Sequence, residues 1–205
     1  MKFPGCFFVT GTDTGVGKTV VCALLAAGLG ASYWKPVQSG AVHGLDSSLV
    51  AEWAGLEPRC ILPESYILNE PLSPHLAAER QGVHIRPENI TVPSVREILI
   101  IEGAGGIMVP LNQDLLILDW VKSLAVPVLI VAPNRLGVIN HTLMTISVLR
   151  HAEISVMGVI LNNGINNDHL RSIEHFGRVR VLAQLNHFHQ LSRHSLQARF
   201  VECFG

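Results

Sequence analysis

Nine residues near the start of the chain, Gly11-Thr12-Asp13-Thr14-Gly15-Val16-Gly17-Lys18-Thr19, have the types and order needed to hold a polyphosphate. Glycines let a backbone curl so that successive N–H groups aim at phosphate oxygens, and the N-terminus of a following helix adds its positive dipole. Lys18 can then reach the β- and γ-phosphates, and the Thr19 hydroxyl can bind magnesium. Gly11 lies one residue further from Gly17 than the usual motif allows, but the Gly-Lys-Thr end, the apolar run before it and the helix-forming run after it all fit. Nucleoside triphosphate binding is therefore predicted for Asp13, Thr14, Gly15, Val16, Gly17, Lys18 and Thr19.

Two carboxylates and a second lysine could complete such a site. Glu102 closes the apolar run Ile98-Leu99-Ile100-Ile101 and precedes Gly103-Ala104-Gly105-Gly106. A carboxylate at a strand end facing a phosphate loop is where magnesium needs an oxygen ligand, and the glycines let a ligand approach the backbone. Asp46 has two readings, a helix cap before Ser47 and Ser48 or a metal ligand. Lys35, in Lys35-Pro36-Val37-Gln38-Ser39-Gly40, follows another short apolar run and would add a second cation. Two cations suit chemistry in which charge develops on a transferring phosphoryl group.

These residues need a scaffold that gathers strand ends. Apolar runs recur at 6–9, 33–34, 98–101, 126–131, 156–161 and 179–185 without polar alternation, as strands buried on both faces do. Helix-like segments lie between them at 19–29, 46–54, 115–124 and 140–151. The alternation predicts an α/β fold, a single P-loop domain over residues 1–205 with a mostly parallel central sheet and helices on both faces. Ligands in that architecture bind beyond the carboxyl ends of the strands, where the motifs fall.

Composition narrows the class further. The formal net charge is −1 and only 15 % of residues are charged, which argues against nucleic acid or an anionic membrane as partner. Cys6, Cys22, Cys60 and Cys203 form no CxxC pair and read as small core residues of a reducing compartment, so a cytoplasmic location is expected. His187, His189 and His194 lack zinc-site spacing and read as solvated or locally hydrogen-bonded.

A P-loop serves both metabolic enzymes and molecular switches. Partition and division-site ATPases carry a signature lysine where this chain, aligned on Gly15 to Thr19, has Asp13. The rival reading, a partition-type switch acting on a macromolecular partner, lacks that residue. Amidating synthetases of the cobyrinate type share a related core but add a glutaminase domain.

The ordered motifs resemble dethiobiotin synthetases. They are Val9 to Thr19, Lys35 to Gly40, Asp46, Pro71-Leu72-Ser73-Pro74-His75, Glu102 to Gly106, Val109-Pro110-Leu111, Asp119-Trp120-Val121, Leu136 to His141 and Gly158-Val159-Ile160-Leu161-Asn162. The resemblance implies addition of CO2 to one amine of 7,8-diaminononanoate (diaminopelargonate). The carbamate then attacks the γ-phosphate of ATP, and the resulting mixed anhydride closes to a cyclic urea. It implies that Lys18 and Lys35 stabilise the carbamate and the moving phosphoryl group, that Thr14 and Ser39 hydrogen-bond the carbamate or diamine end, and that Thr19, Asp46 and Glu102 hold Mg2+. Asn162 would read the adenine edge. Gly105 and the segment Gly137, Val138 and Asn140 would bind substrate, the latter segment from the other subunit of a homodimer. The chain departs from relatives that carry Glu at the place of Gly15 or an Ile-Pro pair where Leu185-Asn186-His187-Phe188 stands.

Overall fold

A computed structural model describes residues 2–205. Its strands are β1 (Cys6–Gly11), β2 (Ser32–Trp34), β3 (Val37–Ser39), β4 (Ile61–Leu62), β5 (Tyr66–Leu68), β6 (Leu99–Gly106), β7 (Val128–Pro133), β8 (Val156–Asn162) and β9 (Val181–Leu185). Its helices are α1 (Lys18–Leu29), α2 (Asp46–Ala54), α3 (Pro74–Gln81), α4 (Ile117–Leu124), α5 (Val138–His151), α6 (Asn167–Gly177) and α7 (Arg193–Phe204). Seven strands form the central sheet in the order β4-β2-β6-β1-β7-β8-β9. Every neighbouring pair in it is parallel.

The unbroken apolar runs follow from two-sided burial. On β1, Phe7 and Val9 face a layer built by α1, α2 and α7, whereas Phe8 faces the opposite layer with Trp34, Ile101, Ile130 and Trp120. Phe7, Phe8 and Val9 are all fully buried, so none of these three positions tolerates a charge. The doubly covered parallel sheet and the α/β class therefore match the sequence expectation.

Three features have no counterpart in the sequence reading. β3 and β5 pair with each other, in parallel, as a separate two-stranded sheet, carrying Ser39 on one strand. Helix α6 begins at an Asn166 cap whose side chain accepts from the N–H groups of Asp168 and His169. Helix α7 lays Phe200 against Gly28 of α1, so closely that a Cβ there would fall 2.0 Å from the ring. Phe200 also joins Phe3 and Phe204 in an aromatic cluster. No helix among the described residues is long and apolar enough to cross a membrane.

Candidate active site

Strand register brings the chemistry together. In β6, Glu102 pairs with Val9 of β1, four residues before Asp13. Trp34 of β2 pairs with Ile101, so Lys35 arrives beside Glu102 one step beyond the last pair. Asn162 ends β8 and Gly17 opens α1. The loop after β1 and the ends of β2, β3 and β6 border one cavity of about 670 Å3, lined by Thr14, Gly15, Gly17, Lys18, Thr19, Lys35, Ser39, Asp46, Glu102 and Gly105 but not by Asn162.

The phosphate loop is built by backbone conformation. Gly15 and Gly17 both have positive φ, and Gly17 at φ 90° turns the chain into α1. Asn162 is buried against the loop, its side-chain amide donating to the Val16 carbonyl at 3.0 Å. The adenine role expected from the resemblance thus falls on a residue whose amide also fastens the loop. Lys18 is 7 % exposed and donates to the Asp13 carbonyl at 3.3 Å. Burial pulls its pKa below the usual lysine value; the Glu102 charge opposes that shift and the Lys35 ammonium adds to it.

Glu102 is the hub. Its Oε1 accepts from the Thr19 hydroxyl and from Lys35 Nζ, each at 3.0 Å, and its Oε2 accepts from the Tyr33 hydroxyl at 2.9 Å. Lys35 also forms an ion pair with Asp46. Burial alone would lower the Lys35 pKa, but the charges of Glu102 and Asp46, with hydrogen bonds to both, outweigh it and raise the pKa above the usual range. Burial and the Glu102 charge likewise push the Tyr33 phenol well up, which keeps it a hydrogen-bond donor. The fully buried Cys22 thiol is raised by burial and by the same carboxylate.

Of the two readings of Asp46, the structure excludes the helix cap. Asp46 is the first residue of α2 and Leu45 occupies the cap position, so the carboxylate does not cap the helix. It turns instead to Lys35, and the Asp46 N–H is capped by Gln38 Oε1 at 3.1 Å. Thr19, Asp46 and Glu102 offer an all-oxygen set of one hydroxyl and two carboxylates around one ammonium. Hard oxygen donors in that number, with room for phosphate oxygens, fit Mg2+. Among the described residues no three His, Cys, Asp or Glu side chains cluster as a metal site.

The remaining expected residues divide. Ser39 lines the cavity, and its Oγ is buried without a hydrogen-bond partner. Gly105, at φ 75°, leaves space that a Cβ would take 3.5 Å from the Thr14 hydroxyl. Gly137, Val138 and Asn140 stand apart. Gly137 caps α5 in the left-handed conformation, and Val138 lines a second cavity of about 230 Å3 with Thr12, Asp13, Arg135 and His141. Asn140 donates weakly to Met144 Sδ. The structure does not bring this segment to Lys35 within one chain. Sequence reading passed over Tyr33, which read as strand core, and Gln38, whose only signal was its place in the Lys35 to Gly40 run.

A parallel sheet topped by a Gly-Lys-Thr loop, with a carboxylate beside it at a strand end, defines a P-loop nucleotide-binding α/β protein. The family model described as an AAA domain matches residues 6–195. Proteins named ATP-dependent dethiobiotin synthetase BioD from Brucella ovis and Brucella abortus are each 46 % identical over 96 % of this chain and 92 % of theirs. The chain belongs to the ATP-dependent dethiobiotin synthetase family. Among solved structures, a ParA family ATPase from Chlorobium tepidum shares 14 % identity over 97 % of this chain and 89 % of its own, at a TM-score of 0.56. The MinC:MinD complex of Aquifex aeolicus shares 16 % over 95 % and 85 %, at 0.51. At such identities these likenesses speak for the fold alone.

One consequence concerns pH. The protonated Lys18 ammonium is the form that attracts phosphate, and its lowered pKa means that charge is lost below the usual lysine range. Lys35 has the opposite shift and stays charged there. ATP affinity measured by titration calorimetry should therefore fall as pH rises toward that range, by up to about tenfold per pH unit once the Lys18 value is passed. In Lys18→Arg the fall should move to higher pH. Affinity that stays flat throughout would refute the assignment.

Proposed function

We propose that the chain converts 7,8-diaminononanoate, CO2 and ATP to dethiobiotin, ADP and phosphate. The observation that carries this reading is the pairing of Lys18 and Lys35 on one cavity with the phosphate loop, in a chain 46 % identical to BioD proteins over nearly its whole length. The partition-switch reading has Asp13 where the switch lysine stands, and its support is fold alone.

The residues divide the work by position and charge. Gly15, Val16, Gly17 and Lys18 cradle the phosphates, and Lys18 follows the charge that develops on the transferring group. Thr19, Asp46 and Glu102 hold Mg2+, which when bound supplies charge neutralisation on the phosphate oxygens. Lys35 stabilises the carbamate that forms when one amine of the diamine adds to CO2 and loses a proton. Thr14 and Ser39 orient that end, and the unpartnered Ser39 Oγ is free for the task. One carbamate oxygen attacks the γ-phosphorus as the bond to ADP breaks. The second amine then attacks the carbamoyl carbon, the C–O bond to phosphate breaks, and the ring closes. Most of the rate enhancement is positioning and electrostatics, which two buried ammonium groups supply.

The same reading makes the chain one domain acting as a cytoplasmic homodimer, with neither nucleic acid nor membrane as partner. Gly137, Val138 and Asn140 then serve the neighbouring subunit's substrate. Their distance from Lys35 within one chain favours this, as do the exposed Leu136 and Met144 on the same segment.

The bond order has an isotopic signature. Turnover with oxygen-18-labelled CO2 should place one labelled oxygen in each released phosphate, because the attacking carbamate oxygen leaves with phosphorus. Phosphate labelled from water and not from CO2 would rule out the carbamate route and indicate hydrolysis.

A further inference from the structure

Glu102 is held on both oxygens, and the partner of Oε2 lies outside the phosphate loop and the lysine pair. Tyr33 is fully buried on β2, directly opposite Ile100 of β6. Two residues along a strand rise by about 6.6 Å, roughly the span from a tyrosine backbone to its hydroxyl. The phenol thus runs up the sheet beneath α1 and meets Oε2 of Glu102 at 2.9 Å. Lys35, two residues further and so on the same face of the chain, takes Oε1. β2 and the residue just beyond its end therefore send a donor to each oxygen of one carboxylate.

A phenylalanine would fill the same core volume without burying a hydroxyl. A buried hydroxyl is costly unless it is hydrogen-bonded, so the position carries polarity for a partner. With Oε2 occupied, Glu102 turns Oε1 toward the Thr19 hydroxyl at 3.0 Å and the phosphate side of the cavity. Without that bond, the carboxylate can rotate to give both oxygens to the Lys35 ammonium and withdraw from Thr19.

We propose that Tyr33 is a positioning residue for the reaction, fixing the orientation in which Glu102 presents Oε1 beside Thr19. The inference rests on the reading of Glu102 as a magnesium ligand. Groups that hold a metal ligand from behind commonly change metal affinity about 10- to 100-fold when removed.

The test uses Mn2+ as a paramagnetic probe with a non-hydrolysable ATP analogue, read by electron paramagnetic resonance on wild type, Tyr33→Phe, Glu102→Gln and the double variant. All are measured below the lowest unfolding transition of the four. Tyr33→Phe should weaken Mn2+ binding about tenfold and raise the Mg2+ requirement of phosphate release to match. The double variant should bind Mn2+ no worse than Glu102→Gln alone, since the hydroxyl acts only through that carboxylate. Mn2+ binding that is unchanged in Tyr33→Phe but lost in Glu102→Gln overturns the positioning role and leaves the metal reading standing. Unchanged binding in Glu102→Gln overturns both. Additive losses in the double variant would show that Tyr33 acts by another route and also overturn the proposal.

Discussion

Lys35→Ala should slow diamine-dependent phosphate release by about 100- to 1,000-fold, the usual loss when one preorganised charge donor is removed from a transition state. ATP affinity should change far less, because the phosphate loop and Lys18 remain. The same substitution should also destabilise the protein. Glu102 is completely buried, and removing one member of a buried ion pair leaves the other uncompensated, at a cost of about 3 kcal/mol. The folded pKa of Lys35 lies above its unfolded value, so its stabilisation is complete at neutral pH and is lost only as pH rises through the folded value. The melting temperature of wild type at pH 7 should therefore exceed that of Lys35→Ala clearly. Single-turnover phosphate release and thermal unfolding on the two proteins check both parts. A kcat within about fivefold of wild type would remove Lys35 from the chemistry.

Gly17→Ala should weaken ATP binding by at least about 100-fold, or roughly 2.7 kcal/mol. Two effects combine at that position. The left-handed backbone at φ 90° costs an L-residue about 1–2 kcal/mol. A Cβ would also lie 2.0 Å from the Asn162 Nδ2 that fastens the loop through Val16. The amide and the loop must then separate, which moves the N–H groups that face phosphate. Gly15→Ala separates the two effects. Its φ of 70° imposes similar strain, but nothing lies within 4 Å of the added carbon. Binding by Gly15→Ala should fall by about 5- to 30-fold, the backbone share alone. Equal losses in both variants would show that backbone strain, and not contact with Asn162, governs the loop.

Particular residues show how far the sequence is legible. Lys18 and Thr19 are readable because a nine-residue motif has one structural use, and the β1, β6, β7 and β8 runs because burial on both faces forbids polar alternation. Asp46 was not decidable from its neighbours. Its carboxylate role depends on Lys35 reaching across from β2, a tertiary fact. Tyr33 was opaque for the same reason, since an aromatic on a three-residue strand is indistinguishable from core until its hydroxyl meets Glu102. Helix α7 carries a helical stripe of Leu196, Phe200, Cys203 and Phe204, but its place is set by a fit to Gly28 far away in the chain, which no local pattern announces. β3 and β5 are each three residues long, too short for any periodicity to declare them.

Phosphate release from Mg-ATP and bicarbonate, followed with and without 7,8-diaminononanoate and with the product weighed by mass spectrometry, tests the central claim most directly. The account predicts release that requires the diamine and yields a cyclic urea in equal amount. Release indifferent to the diamine, or none despite intact ATP binding, would contradict it and turn the reading toward an ATPase switch.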